Sequence, residues 1–128
     1  MYKGSASEAK LLQSKTYCTG LVIQKLRMGI PNGEQAIRGK KLAMSYIGML
    51  ENGETFDADT GWPFYEFRLG ARQAILGWEV GVKGMRVGEK RRLIIPPFMG
   101  YGTKGAGSII IIPPNSWLIF DLELRDVK

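Results

Sequence analysis

Residues 75–88 read I-L-G-W-E-V-G-V-K-G-M-R-V-G, an apolar segment in which one tryptophan lies among glycines. Ile75, Trp78 and Val82 are spaced i, i+3 and i+7, so a helix through this segment places them on one face. The glycines on either side of Trp78 lower helix propensity but allow another backbone to approach closely. The segment therefore predicts a short helix pressed against a sheet, with a broad indole as the floor of a dry concave pocket.

The composition excludes several kinds of enzyme. The chain has 128 residues, enough to bury about two-thirds of its unfolded surface, so it needs neither a metal nor a disulfide in order to fold. It has no histidine, which excludes histidine-based triads, Cys-His nucleophile pairs, histidine metal ligands and a histidine pH switch. Its single cysteine, Cys18, is interpreted as a small apolar strand residue. We expect no metal and no cofactor.

The net charge of +6 is concentrated at the start of the chain. Residues 1–41 carry eight Lys/Arg against two Glu, whereas residues 42–128 carry ten charges of each sign. A second basic cluster, residues 83–92, follows the predicted helix. Either cluster could face acidic proteins or nucleic-acid phosphates, or be a solvated surface. No aromatic residue lies within Lys90-Arg91-Arg92, so a stacking platform for single strands is not indicated.

No apolar run approaches the length of a membrane span, and the longest candidate, residues 109–112, ends at Pro113. Residues 1–10 have no apolar core of the kind found in a secretory signal. We therefore expect a soluble, intracellular protein without a membrane partner.

Alternating apolar residues and turn signals predict an antiparallel α+β fold of five to six strands with one helix. Residues 1–15 are small and polar and are interpreted as a flexible lead-in or linker, which leaves 16–128 as the domain. The helix is expected over residues 71–83, with Gly84 as its left-handed cap. Strands are expected at residues 17–27, 40–50, 55–57, 64–69, 89–95 and 116–127.

Seven motifs occur in an order and spacing that resemble one family. They are Y-x-G-x-L-x-x-G-x-x-F-D at 46–57, L-G at 69–70, I-x-G-W-E at 75–79, G-M-x-V-G at 84–88, Y-G at 101–102, I-P-P at 112–114 and F-D at 120–121. Together they resemble the FK506-binding-protein (FKBP) type of peptidyl-prolyl cis-trans isomerase over residues 17–127. The resemblance implies a strongly curved antiparallel sheet, a half-barrel, wrapped around one short helix.

The resemblance also implies an apolar cavity that holds a proline and fits macrolides such as FK506 and rapamycin. The residues implied to act directly on the substrate are Tyr46, Phe56, Asp57, Trp78, Tyr101 and Phe120. Those implied to bind the substrate are Tyr65, Phe67, Ala74, Ile75 and Ile112. The backbone N–H of Ile75 and the hydroxyl of Tyr101 are implied to bond ligand carbonyls, and Asp57 to receive a polar group.

Several departures from the family pattern bear on the cavity. The segment P-F-Y-E-F at 63–67 has one residue more than the family's P-F-x-F, and register from the following L-G places Tyr65 rather than Phe64 in the wall. The loop after Asp57 is short and lacks the family's frequent basic partner for that carboxylate. Ala74 stands where the family often has valine. The loop over residues 101–112 is long and rich in isoleucine, and it is interpreted either as a rim or as a partner contact.

Three readings of function stay open from the sequence. The first is an isomerase, since rotation about X-Pro needs no proton transfer and suits a dry aromatic cavity. The second is a catalytically weak or inactive binding module of the same fold, in which the extra residue near Phe64 and the isoleucine-rich loop block turnover. For single residues a structural role also stays open: the phenylalanines could fill the core, and Asp57 could cap a turn. The third concerns context: residues 84–97, 99–102 and 112–117 resemble the carboxy-terminal domain of nuclear, nucleoplasmin-type plant FKBPs. This resemblance implies a histone-chaperone parent protein, a nuclear rather than cytoplasmic address, and histones or nucleic acid as partners. The domain itself is expected to be monomeric.

Overall fold

Seven antiparallel strands and one short helix make up the fold in the computed structural model, which describes residues 11–106 and 112–128. The curved sheet has the strand order β1-β2-β6-β7-β3-β4, and β5 also pairs with β3. This confirms the predicted α+β class, but the expected five to six strands were too few. The strands are β1 (Gln13–Thr16), β2 (Val22–Arg27), β3 (Lys41–Leu50), β4 (Thr55–Asp59), β5 (Tyr65–Arg68), β6 (Lys90–Ile95) and β7 (Leu118–Val127), and the helix is α1 (Leu76–Gly81).

The additional strand is β1, which pairs with β2 in the register Gln13↔Lys25 to Thr16↔Val22. Residues 13–15 therefore belong to the sheet and not to the predicted flexible lead-in. Polar, exposed edge strands carry no apolar alternation, so the sequence pattern missed this one. Cys18 lies in the turn that follows and is exposed, so its interpretation as a strand residue was wrong.

The helix is shorter than the predicted span of 71–83 because the backbone before it is not helical. Gly70 and Arg72 have φ values of +90° and +58°, which belong to the left-handed region. The extended residue Ile75 caps the start of α1, and Val82, which has a right-handed conformation, caps its end. Gly84 has the predicted left-handed conformation, at φ +86°, but lies two residues beyond the C-cap instead of forming it.

Two glycines let α1 lie directly on β6. A methyl group added to Gly77 would come within 2.6 Å of Ile95 side-chain atoms, and one added to Gly81 within 2.6 Å of Leu93. Both strand residues are fully buried. The close approach predicted for these glycines is therefore confirmed, although side chains rather than another backbone fill the space.

The strand registers show which residues share the face that α1 covers, since directly paired residues point to the same side of a sheet. One cross-strand row runs Lys15↔Ile23↔Leu93↔Phe120↔Gly48. The neighbouring row runs Gln13↔Lys25↔Arg91↔Leu122↔Tyr46. Because Leu93 lies beneath the helix, α1 divides this face into one part near β3 and β7 and another near β1 and β2.

The predicted inward residues of the last two strands are buried, which confirms the alternation read there. They are Leu93, Ile95, Leu118, Phe120, Leu122 and Leu124. The isoleucines at 109–111 lie outside the described residues. Among the residues that the structure describes, no helix is both long and apolar enough to cross a membrane.

Candidate active site

The floor of the candidate site is the indole of Trp78 on α1, which is only 4% exposed. Tyr46 and Phe120 meet it edge to face at centroid distances of 5.0 and 5.3 Å, with interplanar angles of 80° and 88°. Tyr65 adds a third edge-to-face contact at 6.0 Å. Such arrangements are preferred because the positive edge of one ring lies against the negative face of another. The floor is thus fixed by rings from β3, β5 and β7.

Above this floor is a cavity of about 390 Å³, within the usual size range for small-ligand sites. Its wall combines rings from three strands with the turn before α1 and the segment that follows β6. The lining residues are Tyr46, Asp57, Tyr65, Arg72, Gln73, Ala74, Ile75, Trp78, Tyr101 and Phe120.

The polar group at one side of the cavity is a hydrogen-bonded pair. Tyr46 Oη donates to Asp57 Oδ2 at 2.7 Å, which joins β3 to β4. Burial raises the pKa of Tyr46 well above its ordinary value, and the bond to Asp57 and the charge of that carboxylate raise it further. Tyr46 therefore stays neutral and its proton stays directed at Asp57.

Two other donors at the cavity are free for a ligand. Tyr101 Oη makes no hydrogen bond with the described residues, and burial followed by the charge of Asp57 raises the pKa of this phenol. The backbone N–H of Ile75, at the helix cap, also donates to no group in the described part of the chain. The cavity therefore offers these two donors to carbonyl oxygens, beside the side chains of Arg72 and Gln73, which also line it.

Eight of the eleven residues implied by the resemblance line the cavity, and three do not. Phe56 packs against the ring of Phe120 at 5.4 Å, so it supports the wall from behind. Phe67 is 1% exposed and lies against Trp78 at 5.6 Å, so it supports the floor from the core. Ile112 is also buried in the core and exchanges backbone hydrogen bonds with Ala106.

The structure adds Arg72 and Gln73 to the wall, which the sequence did not suggest. Gln73 Oε1 accepts from the backbone N–H of Arg68 at 2.8 Å, so the amide holds the turn before α1. The only signal in the sequence was position, since both residues lie between the L-G motif and Ile75.

The register chosen for the P-F-Y-E-F segment is confirmed. Tyr65 lines the cavity and meets Tyr46 edge to face at 5.8 Å. Phe64 instead packs on Trp62 at 5.6 Å and lies under the guanidinium of Arg125 at 4.5 Å, outside the site. The extra residue therefore leaves the aromatic wall intact.

Within residues 11–106 and 112–128, no three His, Cys, Asp or Glu side chains lie close enough together to hold a metal ion. The site consists of aromatic rings, one carboxylate that accepts from a phenol, the free donors of Tyr101 and Ile75, and the polar side chains of Arg72 and Gln73. This arrangement suits an apolar group that carries carbonyls.

Comparison with known proteins agrees with this geometry. The family model described as FKBP-type peptidyl-prolyl cis-trans isomerase matches residues 32–125. The chain belongs to this family. FKBP family members among curated proteins include the peptidyl-prolyl cis-trans isomerase FKBP53 of Arabidopsis thaliana, which is 52% identical over 127 residues, covering 98% of the chain and 26% of FKBP53.

Another FKBP relative is the 46 kDa FK506-binding nuclear protein of Spodoptera frugiperda, 41% identical over 117 residues, which cover 91% of the chain and 27% of that protein. The chain thus spans about a quarter of the length of these two curated relatives. Among solved structures, the crystal structure of AtFKBP13 has a TM-score of 0.79 at 34% identity and covers 91% of the chain and 99% of AtFKBP13.

Proposed function

We propose that this FKBP domain is a peptidyl-prolyl cis-trans isomerase that accelerates rotation of X-Pro bonds in the cavity above Trp78. The observation that carries the proposal is the closed set of rings around a cavity large enough for a proline, with two unused donors at its wall. In this proposal Tyr46, Asp57, Trp78, Tyr101 and Phe120 contact the reacting segment.

The chemistry needs no proton transfer or nucleophile. Rotation about an X-Pro bond faces a barrier of about 18–20 kcal/mol because the twisted amide loses resonance. The planar amide is more dipolar than the twisted one, so water stabilises the ground state more strongly. A cavity walled by rings removes that water, and the differential stabilisation that remains lowers the barrier.

The two donors fix the substrate in place. Tyr101 Oη and the Ile75 N–H would each bond a carbonyl of the bound peptide, which positions the proline ring against the indole. Tyr46, whose proton is held by Asp57, would contribute shape rather than a donor. Phe56, Phe67 and Ile112 support these residues from the core.

An exchange assay tests the proposal. The rate of cis-trans exchange in a short X-Pro peptide is measured with and without the domain, and we expect acceleration in proportion to protein concentration. Trp78→Ala should abolish it, and Trp62→Ala is the matched control, because Trp62 is 84% exposed and lies outside the cavity. No acceleration at high concentration of folded protein would refute the proposal.

Trp78→Ala removes a buried ring and is expected to cost about 3–5 kcal/mol of stability. Tyr101→Phe provides a gentler test, since its hydroxyl makes no hydrogen bond with the described residues. We expect this variant to keep its stability and to lose roughly tenfold in kcat/KM. An unchanged kcat/KM would remove Tyr101 from the mechanism.

A second function is a binding module of the same fold with weak or no turnover, and the loss of the basic partner of Asp57 favours it. The same cavity would bind FK506-like or rapamycin-like macrolides in either case. Calorimetric titration with a macrolide separates the two: binding without acceleration of exchange supports the module, and binding with acceleration supports the isomerase.

We further propose that the domain is monomeric and is part of a larger nuclear FKBP that acts on histones. The name of the 46 kDa FK506-binding nuclear protein supports the nuclear address, with the cytoplasm as the alternative. In such a parent the basic residues before Lys41 would contact an acidic segment or nucleic acid. An electrostatic contact with DNA predicts affinity that falls steeply with added salt, and salt-independent binding would contradict it.

A further inference from the structure

A second cavity, of about 410 Å³, lies on the same face of the sheet as the candidate active site and on the other side of α1. Its walls come from β1, β2, β6 and the end of the helix. Four of the residues that line it are cationic and two are aliphatic: Lys15, Lys25, Lys83 and Arg91, with Ile23 and Val80. Four positive charges that converge on one concavity favour an anionic ligand.

One carboxylate, that of Glu89, contacts these cations, and it is committed to structure. Glu89 is 3% exposed, and its Oε2 accepts from Arg91 Nε at 2.5 Å, while Lys25 Nζ is 4.0 Å away. Its other oxygen accepts from the backbone N–H of Arg86 at 3.1 Å. One negative charge against four positive charges leaves the cavity positive.

Several donors in the cavity are unused. Arg91 is 9% exposed and donates through Nη1 to the carbonyls of Gly81 and Lys83, but its Nη2 makes no hydrogen bond with the described residues. Lys15 and Lys83 form no ion pair within the described part of the chain. A buried guanidinium edge with two exposed lysines beside it suits the spaced carboxylates of an acidic peptide, since hydrogen bonds between charged partners are stronger than those between neutral ones.

The cavity favours a peptide over a nucleic acid. Among the described residues that line it, Tyr17 is the one aromatic residue, and the ammonium of Lys15 lies 5.0 Å from its ring centroid. A single ring does not provide the row of aromatic side chains on which successive bases of a single strand stack. The aliphatic wall of Ile23 and Val80 suits an apolar side chain. Strand β1, whose residues are all exposed, is the last strand in the described sheet order and offers its outer edge to an extended segment.

We propose that this second cavity binds the carboxylates of an acidic peptide segment that also carries an aliphatic residue. The site is separate from the one proposed for isomerisation and needs no turnover. Binding would weaken with salt, because the lysines are partly exposed and their charges are screened.

The test is fluorescence anisotropy with the whole chain and a labelled eight-residue peptide of Asp and Glu with one Leu. The peptide contains no proline, so it does not report on the isomerase cavity. A peptide with Asn and Gln in place of the acids, an oligothymidylate of equal length and inorganic phosphate are the comparison probes. The double variant Lys15→Gln/Lys83→Gln is compared with Lys41→Gln/Lys128→Gln, which removes the same charge from two lysines that pair with Glu66 elsewhere.

We expect the acidic peptide alone to bind saturably, and the first double variant to weaken it about tenfold, from roughly threefold for each lysine. The control double variant should change the affinity less than twofold, and exchange of an X-Pro peptide should be the same in all three proteins. No binding, equal loss in both double variants, or oligothymidylate binding as tightly as the peptide would overturn the proposal. Phosphate that competes at low millimolar concentration would do the same, because it would indicate a small-anion site.

Discussion

Replacing Gly77 with alanine measures how closely α1 lies on the sheet. The added methyl group would lie 2.6 Å from two carbons of Ile95 and 2.8 Å from a third, whereas carbon atoms in contact lie about 3.5–4.0 Å apart. Something must move by about 1 Å, and overpacking of this kind costs about 1–3 kcal/mol. Alanine recovers up to about 1 kcal/mol through helix propensity. The net loss should be about 1 kcal/mol.

Gly77→Ala should stabilise the protein instead of destabilising it when Ile95 is replaced by alanine. All three carbons near the new methyl group belong to that side chain, which is fully buried. Ile95→Ala alone costs about 2–5 kcal/mol. In that background the methyl group of Gly77→Ala enters the space vacated by its three nearest neighbours, all atoms of Ile95, and keeps its propensity gain. The double variant should therefore be more stable than Ile95→Ala. Coupling of this kind is expected only for residues in contact.

The measurement is a double-mutant cycle. The free energy of unfolding is obtained from urea titrations of the unmodified protein, Gly77→Ala, Ile95→Ala and the double variant. Gly61→Ala is the matched control, because a methyl group there meets nothing within 4 Å. It should leave stability unchanged or raise it slightly, through the entropy of the unfolded chain. If Gly77→Ala stabilised the protein as much as Gly61→Ala, and did so equally in both backgrounds, the close packing of α1 on β6 would be refuted.

Three further outcomes are expected. Tyr65→Ala should lower kcat/KM about tenfold, whereas Phe64→Ala should leave it within twofold, since only the first side chain lines the cavity; equal losses would contradict the register. The raised pKa of Tyr46 means that the unfolded chain releases this proton first, so stability should fall above about pH 10. Unfolding titrations of Tyr46→Phe should show a shallower fall, and an unchanged slope would contradict the assignment. Arg91→Gln leaves the carboxylate of Glu89 buried without its main partner and should cost about 3 kcal/mol by urea unfolding, but clearly less in a Glu89→Gln background; equal costs in the two backgrounds would contradict the pairing.

Much of the fold could be predicted because its signals are local. The alternation of the last strand identified its buried face, and the glycines around Trp78 indicated close packing. The start of α1 could not be predicted, since Ala71, Arg72, Gln73 and Ala74 are all strong helix formers. The left-handed conformation of Arg72, which keeps this segment out of the helix, depends on tertiary context. Strand β1 was missed because its four residues are all exposed.

In the candidate site, too, local sequence signals predicted some residues, whereas others take their place only through tertiary context. The order of the motifs predicted Trp78 as the floor and most of the wall residues. The register counted from Leu69-Gly70 predicted Tyr65 in the wall, where the structure has it. Phe67 was assigned to the wall because a strand pattern shows that a ring is buried but not whether it reaches the cavity. Arg72 was missed because its place at the wall depends on the conformation of the turn rather than on residue type.

The burial of Trp78 also gives the protein an internal optical reporter. The chain has three tryptophans, and the other two are exposed or half-buried, with Trp62 at 84% exposure. An indole held away from water fluoresces at a shorter wavelength than one in contact with water. The short-wavelength side of the intrinsic tryptophan fluorescence should therefore come from Trp78, at the floor of the cavity. Replacing Trp62 and Trp117 with phenylalanine would leave Trp78 as the single tryptophan. Entry of a ligand into the cavity would then be measured directly as a change in the wavelength and intensity of its fluorescence.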